Sequence, residues 1–126
     1  MNQHNLLARE IVDTSYKLHT RLGPGLLESV YEAVLSHELT KRGLKIERQP
    51  PVPIVYDGIK FDEGFRADIV VENMIILELK SVEKVNRSHK KQLLTYLKLT
   101  GMRLGLLINF GEAWIKDGIY RVVNRL

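Results

Sequence analysis

The chain contains no cysteine among its 126 residues. That excludes disulfides and thiolate metal sites, and it favours a cytoplasmic setting. It has no long uncharged apolar run, so neither a membrane-spanning helix nor a membrane partner is expected. The opening residues, MNQHNLLAREIVD, lack the basic-then-apolar order of a secretory signal. Internal repeats, low-complexity tracts and linkers are missing too, and the length suits one domain over residues 1–126. What the chain does have is a modest positive charge, unevenly placed. Between positions 80 and 98, Lys80, Lys84, Arg87, Lys90, Lys91 and Lys98 stand against Glu83 alone. That stretch carries +5 in a chain whose total is +4. Such a patch draws a polyanion such as nucleic acid; a solvated basic helix face would show the same composition.

The basic stretch begins where the most unusual segment ends. Arg66 to Lys80 reads RADIVVENMIILELK, two short β-branched runs joined by a turn around Glu72-Asn73. Each run carries charge where a hydrophobe is expected: Asp68 in the first, Glu78 and Lys80 in the second. Charge inside a buried strand is costly unless it is paired. Residues two apart in a strand share a face, so Glu78 and Lys80 point the same way. Asp68 joins them only if it lies opposite Glu78. A two-residue loop would send it to the other face, so the pattern predicts a three-residue connection or a bulge near Glu72–Met74. Two carboxylates and an amine at one spot suit a hard divalent cation such as magnesium, with the lysine placed to orient or deprotonate a water. A structural ion pair at the sheet end is the other reading. Arg66, two residues before Asp68, can share its face and contact phosphate or Glu28.

The flanking segments supply an architecture. Asn5–Leu22 has helical spacing in Leu7, Ile11, Ser15, Leu18 and Leu22, and Gly23-Pro24-Gly25 stops it. Leu26–Arg42 reads as a second helix whose stripe, Tyr31, Leu35 and Leu39, is headed by Glu28. That acid either needs a cation nearby or simply favours the helix dipole. His4 and His19 are expected at the surface. Leu44–Arg48 suggests a strand, and the stiff Gln49-Pro50-Pro51 a corner or sheet edge. Asp57-Gly58 and Asp117-Gly118 each signal a hairpin, the second with Trp114 and Tyr120 packing across it. Asp62 and Glu63 read as loop. Ser88 is the expected N-cap of a helix to Thr100 that buries Leu93, Leu94 and Leu97. Leu104–Ile108 is a continuous apolar run, expected as a buried strand parallel to Ile75–Lys80. The sum is an α/β fold with a mixed central sheet flanked by helices.

Several motifs resemble one family. Asp68 followed by Glu78-Leu79-Lys80 is similar to the signature of the metal-dependent PD-(D/E)XK nuclease superfamily, with Ala67 in place of its proline. Gly25-Leu-Leu-Glu28-Ser-Val-Tyr31 resembles the GxxExxY proteins, a prokaryotic family grouped there. Gln92-x-x-x-Tyr96 is similar to the motif that RecB-like members carry after Glu-x-Lys. The resemblance runs from about Ile11 to Asn124. It implies a restriction-endonuclease-like core and hydrolysis of phosphodiester bonds in nucleic acid, DNA first. It implies magnesium or manganese held by Asp68, Glu78 and the Leu79 carbonyl, with Glu28 as a helix-borne acid that binds the ion directly or through a water and Tyr31 packed or hydrogen-bonded beside it. Lys80 would align or activate the water. Gln92, Tyr96, Lys90 and Lys91 would hold the substrate strand. A non-catalytic nucleic-acid-binding or assembly module on the same scaffold is the rival reading, and a small-molecule phosphoesterase a second one. A homodimer could cut both strands of a duplex, but no dimer signature is legible.

Overall fold

The computed structural model describes residues 2–126. Helix α1 (Gln3–Leu22) is capped by Asn2, whose side chain accepts from the Asn5 N–H at 2.8 Å. Helix α2 (Glu28–Lys41) follows across Gly23-Pro24-Gly25. Strand β1 (Ile46–Arg48) leads into a hairpin of β2 (Pro51–Tyr56) and β3 (Ile59–Arg66). Then come β4 (Ile69–Val71), β5 (Ile75–Lys80), α3 (Arg87–Thr100), β6 (Leu104–Asn109) and β7 (Ile119–Val123). Five strands form one mixed sheet in the order β1-β4-β5-β6-β7, with β5 and β6 its parallel pair. The hairpin β2-β3 forms a second sheet by itself. No helix is long and apolar enough to cross a membrane among the described residues.

The alternation along β5 explains the layering. Ile75, Leu77 and Leu79 face α1 and α2, where they join Ile11, Leu35 and Leu39 in one apolar cluster. Ile76 faces α3 with Val70, Leu107, Leu93 and Leu97 in another. Helix α3 lies close to the sheet because β6 carries Gly105 beneath it. A Cβ there would stand 2.9 Å from Leu93 Cδ1.

The β4–β5 register matches the charge argument. Ile69 pairs with Leu77 and Val71 with Ile75, so the same ladder continued by one residue sets Asp68 opposite Glu78. The connection is Glu72-Asn73-Met74, with Glu72 and Asn73 both at positive φ. The Asp57-Gly58 hairpin also forms, with Tyr56 paired to Ile59.

Four expectations need correction. Asp117-Gly118 closes no hairpin: residues Ile115–Gly118 form a 3-10 turn, and β7 pairs with β6 instead. Ile115 is buried there, which ties the segment to the core, while Trp114 is 71% exposed and packs across nothing. Asp62 and Glu63 are exposed residues of β3, not loop, and β3 bulges past Pro53 at that point. The N-cap of α3 is Asn86 in a reciprocal box with His89, because Ser88 already lies inside the helix. His19 is buried at the end of α1, its Nε2 2.9 Å from the Glu112 carbonyl.

Candidate active site

Asp68, Glu78 and Lys80 meet at the end of β5 on the α3 side of the sheet. Asp68 sits just before β4, where its Oδ2 accepts the Leu79 N–H at 2.7 Å. Burial raises its pKa; that N–H and Lys80 work against the rise, while Glu32 and Glu28 add to it. Glu78 is pushed further, from an ordinary 4.5 to about 8. Burial is the main cause, and the neighbouring Asp68 carboxylate the next. Its Oε1 is buried without a hydrogen-bond partner. Lys80 is half-buried, and its carbonyl accepts from the Phe110 N–H at 2.8 Å. None of the salt bridges among the described residues includes Asp68, Glu78 or Lys80. The three charges therefore share a face without closing on one another as an ion pair.

The residue after Lys80 is fixed from two sides. The Ser81 N–H donates to Glu28 Oε2 at 3.4 Å, and its hydroxyl donates to the Leu26 carbonyl. Glu28 is exposed at the head of α2, so it forms the rim of the site rather than its floor. Asn109, fully buried, accepts from the Val82 N–H at 3.0 Å and donates to the Val82 carbonyl at 2.8 Å. Its side chain clamps the chain as it leaves β5. Nothing in the sequence singled out Asn109, because an Asn ending an apolar run reads as a turn former.

Tyr31 packs and hydrogen-bonds behind Glu28. It is fully buried and stacked on Phe110, with ring centroids 4.4 Å apart. Its hydroxyl donates to the Gly23 carbonyl at 2.6 Å and accepts from the Leu26 N–H at 3.1 Å. It pins the loop before α2 and so sets the position of Glu28. Gly25, at φ +98°, supplies the backbone turn of that loop. Gly25, Glu28 and Tyr31 thus act as one structural unit.

The α3 residues divide. Tyr96 stacks on Phe65 with ring planes within 5°. Its pKa is raised, first by burial and then by Glu78, while Gln92 works against the rise. That places Gln92 and Tyr96 beside the carboxylates. Lys91 is exposed. Lys90 instead lies over the Tyr120 ring, 3.9 Å from its centroid, on the β7 side. The helix turns it about 100° per residue away from its neighbour, so it does not extend the edge beside Gln92. Arg66 is also committed: its Nη1 donates to the Gln49 carbonyl at 3.0 Å, not to Glu28.

One acid and its partners went unread in the sequence. Glu32, one turn after Glu28, is buried; its Oε2 accepts from Arg48 Nε at 3.2 Å and Nη2 at 3.1 Å. Its Oε1 accepts from Gln49 Nε2, which also reaches Asp68 Oδ1 at 3.4 Å. The i, i+4 spacing from Glu28 was the available signal.

Asp68 and Glu78 are hard oxygen donors held against each other, with one buried oxygen unpaired, and a cation would relieve both conditions. These two fit. No cluster of three or more histidine, aspartate or glutamate side chains that could hold a metal is found among the described residues, which matches Glu28 at the rim and Glu32 engaged with Arg48.

A family model described as the PD-(D/E)XK nuclease superfamily matches residues 5–122. No curated protein and no solved structure matches the chain.

Proposed function

The chain belongs to the PD-(D/E)XK nuclease superfamily, and on that premise we propose that it is a metal-dependent nuclease hydrolysing phosphodiester bonds in nucleic acid, with DNA the expected polymer. Within the superfamily we place it with the GxxExxY proteins, on Gly25, Glu28 and Tyr31. The observation that carries the reading is the unclosed charge at the end of β5. Asp68 and Glu78 oppose each other, Lys80 shares their face, and Glu78 Oε1 is buried without a partner.

Asp68, Glu78 and the Leu79 carbonyl would hold magnesium or manganese. When bound, such an ion supplies Lewis acidity and a water of lowered pKa. Lys80 orients the attacking water or takes its proton, and it steadies charge that develops on the phosphate. Glu28 contributes negative potential at the rim, where it also fixes the Ser81 backbone. Gln92 and Tyr96 line the approach to the carboxylates, and Lys91 with Lys84 and Arg87 supplies positive charge for the phosphate backbone. Lys90 adds to that field only from the β7 side.

The test is cleavage of circular DNA, single-stranded DNA and RNA with magnesium, manganese or chelator, comparing wild type with Glu78→Ala and Lys80→Ala. Metal-dependent cutting by wild type, reduced about 10²–10⁴-fold in Lys80→Ala and abolished in Glu78→Ala, is expected. Equal cutting by all three would assign the activity to a contaminant. Salt-dependent binding that survives Glu78→Ala, with no cutting by any, would identify a binding module instead.

A further inference from the structure

Gln49 occupies the corner between β1 and β2 in a conformation that its sequence opposes. Its φ is +52°, in the left-handed region that favours glycine. It also precedes Pro50, and a proline ring pushes the residue before it toward extended backbone at negative φ. A conformation disfavoured on two counts persists only where the surroundings hold it, and such points cluster at functional sites.

The surroundings here converge on Asp68. The Gln49 backbone N–H donates to the Asp68 carbonyl at 3.0 Å. Its side-chain Nε2 lies between two carboxylates, Glu32 Oε1 and Asp68 Oδ1. Its own carbonyl accepts from Arg66. The amide orientation follows from its neighbours: turned over, its oxygen would face two anions. Glu32 can hold that amide because its other oxygen already takes two N–H groups from Arg48. Asp68 is thereby tied at both oxygens, Oδ2 to the Leu79 N–H and Oδ1 to Gln49.

We propose that Gln49 is a positioning residue for Asp68, holding that carboxylate ready for a divalent cation through the Glu32–Gln49–Asp68 hydrogen-bond chain. The assignment rests on the nuclease reading above. Partners that orient a metal-binding carboxylate govern affinity nearly as much as the ligands themselves.

Gln49→Gly separates this role from that of a mere corner. Glycine adopts the left-handed backbone freely, so the turn is kept while the side chain is lost. Manganese affinity is read from the electron paramagnetic resonance signal of the free ion, and folding from the melting temperature in chelator. The expected result is an affinity about 10- to 100-fold weaker than wild type, with a melting temperature equal to it or higher. Equal affinity in both proteins would overturn the assignment and leave the nuclease reading standing. A large fall in melting temperature would overturn it too, by making Gln49 a structural residue. Wild type that takes up no manganese would overturn both.

Discussion

The two hairpins of this chain invert the usual rule in opposite directions. The β4–β5 hairpin lies in the middle of the main sheet, its apolar residues almost wholly buried, yet it carries Asp68, Glu78 and Lys80. The β2–β3 hairpin stands apart from that sheet and exposes Val55, Tyr56, Ile59 and Phe61 by 41–73%. Both break the expected pattern, but the consequences differ. In β4–β5 the odd residues converge, burial pushes the Asp68 and Glu78 carboxyls up, and one Glu78 oxygen stays unpaired. In β2–β3 the odd residues are exposed hydrophobes that leave no buried polar group unpaired. A break in pattern becomes a candidate site when it leaves something electrostatically unsatisfied, not merely when it is unusual.

The sharpest way to break this contrast is to compare neighbours on β5. Leu77 is fully buried among the α1 and α2 side chains. Leu77→Ala is expected to cost about 2–5 kcal/mol by loss of transfer energy and the cavity left behind. Glu78→Gln, at the next residue, should respond in the opposite direction at pH 8. Urea unfolding of both variants in chelator measures the two effects. If both variants were destabilised alike, Glu78 would be a packing residue and the open-charge argument would fail.

Glu78→Gln has an effect that depends on pH, and its sign follows from the raised pKa. The unfolded chain releases the Glu78 proton near 4.5, whereas the folded chain keeps it until about 8. Stability from this group is therefore highest below pH 4.5, falls as pH rises toward 8, and is level above that. Glutamine has no proton to lose and removes this slope. Relative to wild type, Glu78→Gln should be nearly neutral at pH 4 and stabilising at pH 8–9, on the order of 1–3 kcal/mol. Melting curves in chelator from pH 4 to 9 provide the measurement. Parallel curves for the two proteins would show that Glu78 ionises without penalty.

How much of this was legible depends on whether the signal was local. The three-residue connection after Val71 and the Asp68–Glu78 register followed from side-chain alternation alone, because one slipped residue would have sent Asp68 to the other face. The Asp57-Gly58 turn was equally local. Asp117-Gly118 carried the same dipeptide and misled, since burial of Ile115 and the pairing of β7 with β6 outweighed turn chemistry. Gln49 and Asn109 were unreadable for a different reason, and the i, i+4 spacing of Glu32 from Glu28 named none of its partners. Each matters through partners 16 to 27 residues away, and no short window contains both ends. Lys90 and Lys91 looked equivalent in the sequence; only the placement of Tyr120 separates them.

The smallest expected effect lies on the β2–β3 hairpin. Ile54, Tyr56, Ile59 and Phe61 share one face of it, since Tyr56 pairs with Ile59 and Ile54 with Phe61. Tyr56 and Ile59 are 73% and 56% exposed at the tip. Replacing either with serine removes little buried area, so each should shift stability by no more than about 0.5 kcal/mol. The Asp57-Gly58 turn would still set the register, because both of its residues sit at positive φ. Urea unfolding of Tyr56→Ser and Ile59→Ser beside Leu77→Ala checks this on one scale. A loss near that of Leu77→Ala would mean the hairpin packs against something in solution, and the contrast between a buried charged hairpin and an idle exposed one would no longer hold.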